Sequence, residues 1–400
     1  METLTRPRVT LLLALLSGSG LCADPLPEPL PPETALQSAQ NPNQFELIDV
    51  EQRQQALAAE LGIERGNQGF RLDLTGRIRE VGLSDAAIDE DDGGDNAASL
   101  ILSKPLYDFG LQDSREGQLR LQLEALEQQK RLLLQRRRLE ILEKYFAVLE
   151  ADNRFLAENE ALAIGFIRYD NALQDQELGA VAEVEVLRLQ SEYEVIRRKR
   201  LLAEQQQRLT RSILAEAMGY PGQLSTRLEI PVIDGTRGIS DDIGAMVTQA
   251  LQYSLEARVA LANTRAAHAA IKIADAVEGP SLDLEFEVST YERETRTRDD
   301  WRAGLYIEIP LYRGSSQARV NQASAHYQRT LAEQQGIQSH LRVEVLRLWQ
   351  RLQHLQLEIR GSNIEQEYRE LDLDRSRAEY ELEFKTNLGD SMVSYSRSNA

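Results

Sequence analysis

Apolar positions switch between two periods along this chain, and the switch happens twice in the same order. Residues 33–66 carry apolar markers at helical spacing: Leu47, Ala56, Leu57 and Leu61. Over residues 69–82 the period drops to two, with Phe70, Leu72, Leu74 and Ile78 alternating with Arg71, Asp73, Thr75 and Arg77. This predicts a strand with one apolar face. The stretch Asp89-Glu90-Asp91-Asp92-Gly93-Gly94-Asp95 reads as a solvated loop. A second strand is expected at 98–107. A helical hairpin follows over 111–218, broken at Gly179 and stopped by Gly219-Tyr220-Pro221-Gly222. Its first arm carries the stripe Leu139, Leu142, Phe146, Leu149 and Leu156, and its second arm Ala182, Val186, Leu189, Tyr193 and Ile196. Both stripes are expected to pack helix on helix. With no proline inside the first arm, its length at ~1.5 Å per residue is on the order of 100 Å.

The same order returns: helix over 240–278, strands at 281–291 and 301–312, and a long helix from 315. Leu282, Leu284, Phe286 and Val288 alternate with Asp283, Glu285 and Glu287. Pro105-Leu106-Tyr107 matches Pro310-Leu311-Tyr312 at an offset of 205, and Leu142 and Tyr145 meet Leu346 and Trp349 at 204. A near-constant offset through strand and helix marks an internal duplication. The first repeat then covers 33–238 and the second 239–400, after a Pro-rich linker at 24–32.

Each half offers two strands long enough to cross a bilayer when tilted, a length of about 9–11 residues. Within lipid a sheet must close on itself, because unpaired edge groups find no water there. Four strands cannot close; three copies would supply twelve. Leu282, Leu284, Phe286 and Val288 would then face lipid, and Asp283, Glu285 and Glu287 would line a wet lumen. A soluble sheet packed on one face is the alternative, though an odd companion for helices of that length.

The N-terminus has the form of a signal peptide over residues 1–23. Arg6 and Arg8 precede the apolar run Val9–Leu16, then small residues lead to Leu21-Cys22-Ala23. Lipidation of Cys22 is the alternative, and Leu21 argues against it, since a small residue normally stands there. Cys22 is the sole cysteine, so no intramolecular disulfide exists. The balance of 46 basic against 64 acidic residues, net −18, argues against nucleic acid as a partner. His268, His326, His340 and His354 form no metal motif, and no phosphate loop or nucleophile elbow occurs. No catalytic residue, metal or cofactor is therefore expected.

Ser103-Lys104-Pro105-Leu106-Tyr107-Asp108-Phe109-Gly110, Ile309-Pro310-Leu311-Tyr312-Arg313-Gly314 and Met218-Gly219-Tyr220-Pro221-Gly222 resemble, in order and spacing, the TolC-like outer-membrane efflux proteins. The resemblance covers about 33–400. It implies a mainly α chain with a small membrane β part, forming a trimeric 12-stranded β-barrel in the outer membrane above an α-helical periplasmic tunnel. It further implies a homotrimer in outer-membrane lipid that meets a periplasmic adaptor and an inner-membrane pump. The role implied is a passive conduit in a tripartite efflux or type I secretion system. A periplasmic coiled-coil scaffold without a pore is the alternative. Family hairpin tips narrow the tunnel and meet the adaptor; here they fall at 175–187 and 381–394, which makes Glu177, Glu183, Glu185, Glu383 and Asp390 the candidate constriction or adaptor contacts. The chain departs from the pattern in one respect: the last returning helix is expected to be almost absent, since Ala400 follows the second tip closely.

Overall fold

A computed structural model describes residues 26–81, 93–222, 227–231, 242–292 and 298–381. Seven helices and six strands run in the order α1 (Pro32–Gln37), α2 (Phe45–Asn67), β1 (Arg71–Arg77), β2 (Glu80–Val81), β3 (Gly93–Gly94), β4 (Ala97–Tyr107), α3 (Leu111–Glu177), α4 (Glu183–Met218), α5 (Ile243–Tyr253), α6 (Leu255–Ala276), β5 (Ser281–Tyr291), β6 (Trp301–Glu308) and α7 (Ser316–Glu381) among the described residues. The architecture is mainly α with one small sheet. The helices that follow each strand pair, α3 and α7, have 67 and 66 residues.

The main sheet is antiparallel throughout, in the order β1-β4-β5-β6, so each half of the chain supplies two adjacent strands. Two strands are shorter than their alternation suggested. The expected strand 69–82 is in the ladder only over Arg71–Arg77; Glu80 and Val81 leave it to pair with Gly94 and Gly93. The expected strand 301–312 ends at Glu308, just before Pro310, which has no N–H to donate. The helix expected over 240–278 is two helices. Ser254 is extended and its hydroxyl accepts from Ala257 N at 3.2 Å, so it starts α6 afresh.

Strand passes to helix at the Pro-Leu-Tyr motif of the first half. Phe109 and Gly110 both take positive φ, 50° and 88°. The Asp108 carboxylate accepts from Gly110 N at 3.2 Å and from Gln112 N at 2.7 Å, which satisfies donors that the first turn of α3 leaves free. A capping carboxylate followed by a left-handed step turns the chain from sheet to helix in three residues.

The core sits midway along α3. Ile141, Tyr145 and Val148 pack there against Leu214 and Met218 of α4 and against Leu30, Ala35 and Ala39 of the N-terminal segment. The stripe read as core is met only in part. Leu149 is half-buried against the core and Leu142 half-buried, but Leu139, Phe146 and Leu156 are exposed, and the buried line is Ile141, Tyr145, Val148 and Ala151. An apolar residue on each of two faces gives both stripes helical spacing, so period alone did not choose between them. On α4, Val186 of the expected stripe is buried.

The N-terminal segment acts as a strap. Leu30 exchanges hydrogen bonds with the segment between the two halves, through Leu30 N to Arg227 O and Glu229 N to Leu30 O, both 2.9 Å. Tyr145 Oη donates into this junction, 2.7 Å from Leu30 O and 2.6 Å from Glu229 O. Burial pushes its phenol up to about 12. Next to it, Arg137 donates to Ala217 O at 2.9 Å and Ala39 O at 3.3 Å and pairs with Glu46 at 3.2 Å. Asn41 and Gln44 donate to the last carbonyls of α4, from Glu216 to Gly219. The strap thus supplies the C-terminal end of α4 with the donors it lacks.

Candidate functional site

Register places the side chains of the sheet on two unlike faces. On one, the cross-strand rows are Leu74-Leu100-Val288-Trp301, Leu72-Leu102-Phe286-Ala303 and Lys104-Leu284-Leu305, with Leu282 beside Ile307. This face is a continuous apolar band, and most of it is uncovered: Leu74 is 78%, Trp301 65% and Ile307 67% exposed. The one charge in the band, Lys104, lies near the helical end with its ammonium 4.7 Å from the Phe70 ring centre. Aromatic rings mark both ends. Trp301 and Phe286 sit at the end away from the helices, 6.5 Å apart, and Tyr107 and Phe109 sit near the helices, 4.6 Å apart.

The other face is polar. Its rows are Thr75-Ser99-Ser289, Asp73-Ile101-Glu287-Arg302 and Arg71-Ser103-Glu285-Gly304, followed by Pro105-Asp283-Tyr306. Alternation therefore puts Asp283, Glu285 and Glu287 on one face of β5. They differ in surroundings. Glu287 is buried and held by Arg302 and by the Ser289 hydroxyl at 2.8 Å, which in turn meets the Ser99 hydroxyl at 2.8 Å. Glu285 lies 3.8 Å from the same Arg302, and Asp283 accepts from Ser281 at 3.4 Å. Among the described residues, strands β1 and β6 each have one edge with no strand against it.

At the other end of the molecule, α3 and α4 meet in a tight tip. Gly179, at φ 72°, lets Ala180 N donate back to Asp175 O at 2.8 Å, closing α3. Glu177 and Glu183 stand exposed on either side of the turn. Glu183 and Glu185 occupy the first turn of α4, where the helix dipole favours carboxylates. Glu185 receives Arg188 Nε at 2.9 Å, and that hydrogen bond holds its carboxyl below the usual range. Arg188 also reaches Glu192 at 2.5 Å. Between these charges Leu178 (82%), Val184 (77%) and Leu187 (54%) are exposed. Sequence reading singled out the tip carboxylates and passed over these apolar neighbours, whose signal is three large apolar residues within ten positions of a helix-breaking glycine. Glu383, Asp390 and Cys22, like the signal segment and the second tip, lie outside the described residues.

One expectation fails at the outer end of the sheet. Asp95, read as part of a solvated acidic loop, is 2% exposed and ringed by Arg77, Arg79 and Arg298. A buried carboxylate needs such partners, and the arginines lie 16 or more residues away in sequence, where no local pattern reveals them. Residues 82–92 of that loop lie outside the described residues. No helix among the described residues is long and apolar enough to cross a membrane, which says nothing of a β-barrel.

Residues 246–381 match the sequence profile of the family described as outer membrane efflux protein. No curated protein matches the chain in sequence. Among solved structures, the outer membrane protein VceC from Vibrio cholerae superposes with a TM-score of 0.70 at 17% identity, over 92% of this chain and 90% of that one. The Campylobacter jejuni CmeC outer membrane channel gives 0.70 at 15% identity, over 92% and 79%. The open state of the Neisseria gonorrhoeae MtrE outer membrane channel gives 0.64 at 14%, over 92% and 82%. The chain thus shares the fold of these outer membrane proteins, and its residues 246–381 are similar in sequence to the outer membrane efflux protein family.

Proposed function

We propose that three copies of this chain close their sheets edge to edge into a 12-stranded barrel in the outer membrane, with the helices forming a conduit through the periplasm. The chain is then a passive channel protomer of a tripartite efflux or type I secretion system. One observation carries this most of all: a four-stranded sheet with two open edges and an uncovered, continuous apolar face. Such a sheet is stable in lipid only when its edges are paired. In the barrel, Leu284 and its row meet lipid, and Asp283, Glu285 and Glu287 line the lumen. The tip at Gly179 meets a periplasmic adaptor through Glu177, Glu183 and Glu185, with Leu178, Val184 and Leu187 as the apolar part of that contact. The corresponding second tip, with Glu383 and Asp390, belongs to the same constriction. An inner-membrane pump supplies the driving force.

Leu102→Arg, at the middle of β4, tests the assignment of faces. Arginine at mid-barrel on the lipid face costs about 2–4 kcal/mol, whereas Glu285→Gln on the lumen face leaves insertion intact. The wild type is expected to form a trimer on gels that heat dissociates and to conduct in planar bilayers; Leu102→Arg does neither, and Glu285→Gln does both. A wild-type chain that stays monomeric in water and forms no channel would rule the conduit out in favour of a periplasmic scaffold.

A further inference from the structure

At the end of the sheet away from the helices, both β-hairpins converge on one carboxylate. Asp95 Oδ2 accepts from Arg77 Nη2 at 3.2 Å and Arg79 Nε at 2.5 Å, and Oδ1 accepts from Arg298 Nη2 at 2.7 Å. Arg77 and Arg79 belong to the first hairpin and Arg298 to the second. Backbone bonds hold the same place together. Asp95 N donates to Arg79 O at 2.8 Å, and Arg79 N donates to the Asn96 side chain at 3.1 Å. Across the hairpins, Glu292 N donates to Asn96 O at 2.9 Å, and Asn96 N to the Glu292 carboxylate at 3.3 Å. The Arg298 guanidinium also stacks over the Tyr291 ring at 4.9 Å. Arg77 and Tyr291 continue the polar alternation of β1 and β5, so this cluster lies on the face assigned to the lumen.

We propose that Asp95 is the clasp that binds the outer ends of the two hairpins into one rim and sets the charge presented there. The inference rests on the channel reading only for the side of the sheet that meets the lumen. The charge count makes the point. Three guanidinium groups face Asp95. With Asp95 in place each guanidinium has a fixed partner, and the two hairpins share it. With Asp95 neutral, the two hairpins lose the carboxylate that attracts guanidinium groups from both, and the strand ends are held together less tightly. The mouth is then less negative by one charge, which shifts selectivity toward anions. Removing one guanidinium instead weakens the same clasp and shifts the charge the opposite way.

The test uses the full mature chain. Wild type, Asp95→Asn and Arg298→Gln are compared by limited trypsin digestion in detergent and by reversal potential in planar bilayers under a salt gradient. Both variants are expected to speed cleavage after Arg77 or Arg79 by about ten-fold, the effect of losing one charge-assisted hydrogen bond at a local opening. Asp95→Asn shifts selectivity toward anions and Arg298→Gln toward cations. A merely misfolded rim gives no such opposed signs. Wild-type cleavage rates and unshifted reversal potentials in Asp95→Asn overturn the proposal; if that variant does not fold, the same outcome in Arg298→Gln does so. Should the wild type form no channel at all, the conduit reading falls, and the trypsin comparison still decides the clasp.

Discussion

Replacing Tyr145 by Phe removes one oxygen from a fully buried ring in the core, and its effect can be worked out in advance. The ring is wholly buried, and Phe fills the same space, so no cavity opens. What is lost is the O–H shared between Leu30 O and Glu229 O. Leu30 O keeps a partner, because Glu229 N also donates to it at 2.9 Å. Glu229 O loses its donor. Glu229 is an exposed residue and the bond is only part-buried, so water can replace the lost donor and the cost is that of one net hydrogen bond, about 1 kcal/mol. At 1.4 kcal/mol per decade this raises the local opening constant roughly five-fold. The strap and the inter-half segment are held to each other by two backbone bonds, so they open together. Hydrogen exchange followed by mass spectrometry on the detergent-solubilised protein reads this directly. Peptides covering 26–31 and 227–231 exchange about five-fold faster in Tyr145→Phe, while those from the lower part of α3 and from α4 do not change. Exchange in these two segments within about two-fold of wild type would refute the role given to the hydroxyl. So would a uniform rise along the whole chain, which would mean global rather than local destabilisation.

Two further outcomes follow from neighbouring groups. Arg137→Met keeps the aliphatic packing of a side chain that is almost fully buried but strips its bonds to Ala217 O, Ala39 O and Glu46; it is expected to cost roughly 3 kcal/mol, seen as faster exchange over 38–44 and faster thermal inactivation, with Arg137→Lys intermediate. At the rim, the hydrogen bond from Arg298 and then that from Arg79 hold the Asp95 carboxyl below its usual range, against the opposing effect of burial. A depressed folded pKa means the carboxylate's contribution is complete above the unfolded value of about 4 and drains away as pH falls through the lower folded value. Channel noise is therefore expected to be flat from pH 7 to about 4 and to rise only below, and Asp95→Asn is noisy across the whole range.

What was legible in the sequence is what repeats locally. Alternation in β5 set Leu282, Leu284, Phe286 and Val288 opposite Asp283, Glu285 and Glu287, and the register of the sheet keeps them on opposite faces. Gly179 and Gly219 marked the ends of α3 and α4 because a left-handed residue closes a helix wherever it stands. What was not legible depends on partners far along the chain. Tyr145 stood out in the sequence only as the aromatic that matches Trp349 across the duplication; its place at the core comes from Leu30 and Glu229, 115 and 84 residues away. Asp95 sat in an acidic run whose composition signals solvent, and only the arginines of two hairpins bury it. The choice between Ile141–Tyr145–Val148 and Leu139–Phe146 as core was likewise open to pattern, since a long helix that packs on more than one side carries apolar residues all around.

The energetics of the sheet explain why insertion and assembly belong to one event in the proposed function. The exposed members of the apolar band are Leu72, Leu74, Leu100, Phe286, Val288, Trp301, Leu305 and Ile307, each already covered in part. Full burial of such a side chain is worth about 1.5–3 kcal/mol, so moving the band of one copy into hydrocarbon gains on the order of 10 kcal/mol. Against this stand the two open edges. Strands β1 and β6 have seven and eight residues. Alternate residues of an antiparallel edge point both N–H and C=O outward, leaving about seven groups on each. In lipid each costs several kcal/mol when unpaired, a sum well above the gain from the band. A lone copy is therefore held out of the bilayer by its own edges. Pairing β6 of one copy with β1 of the next removes that cost at every seam at once, and the apolar band then works in favour of insertion. Two copies still leave two edges; only a closed ring leaves none.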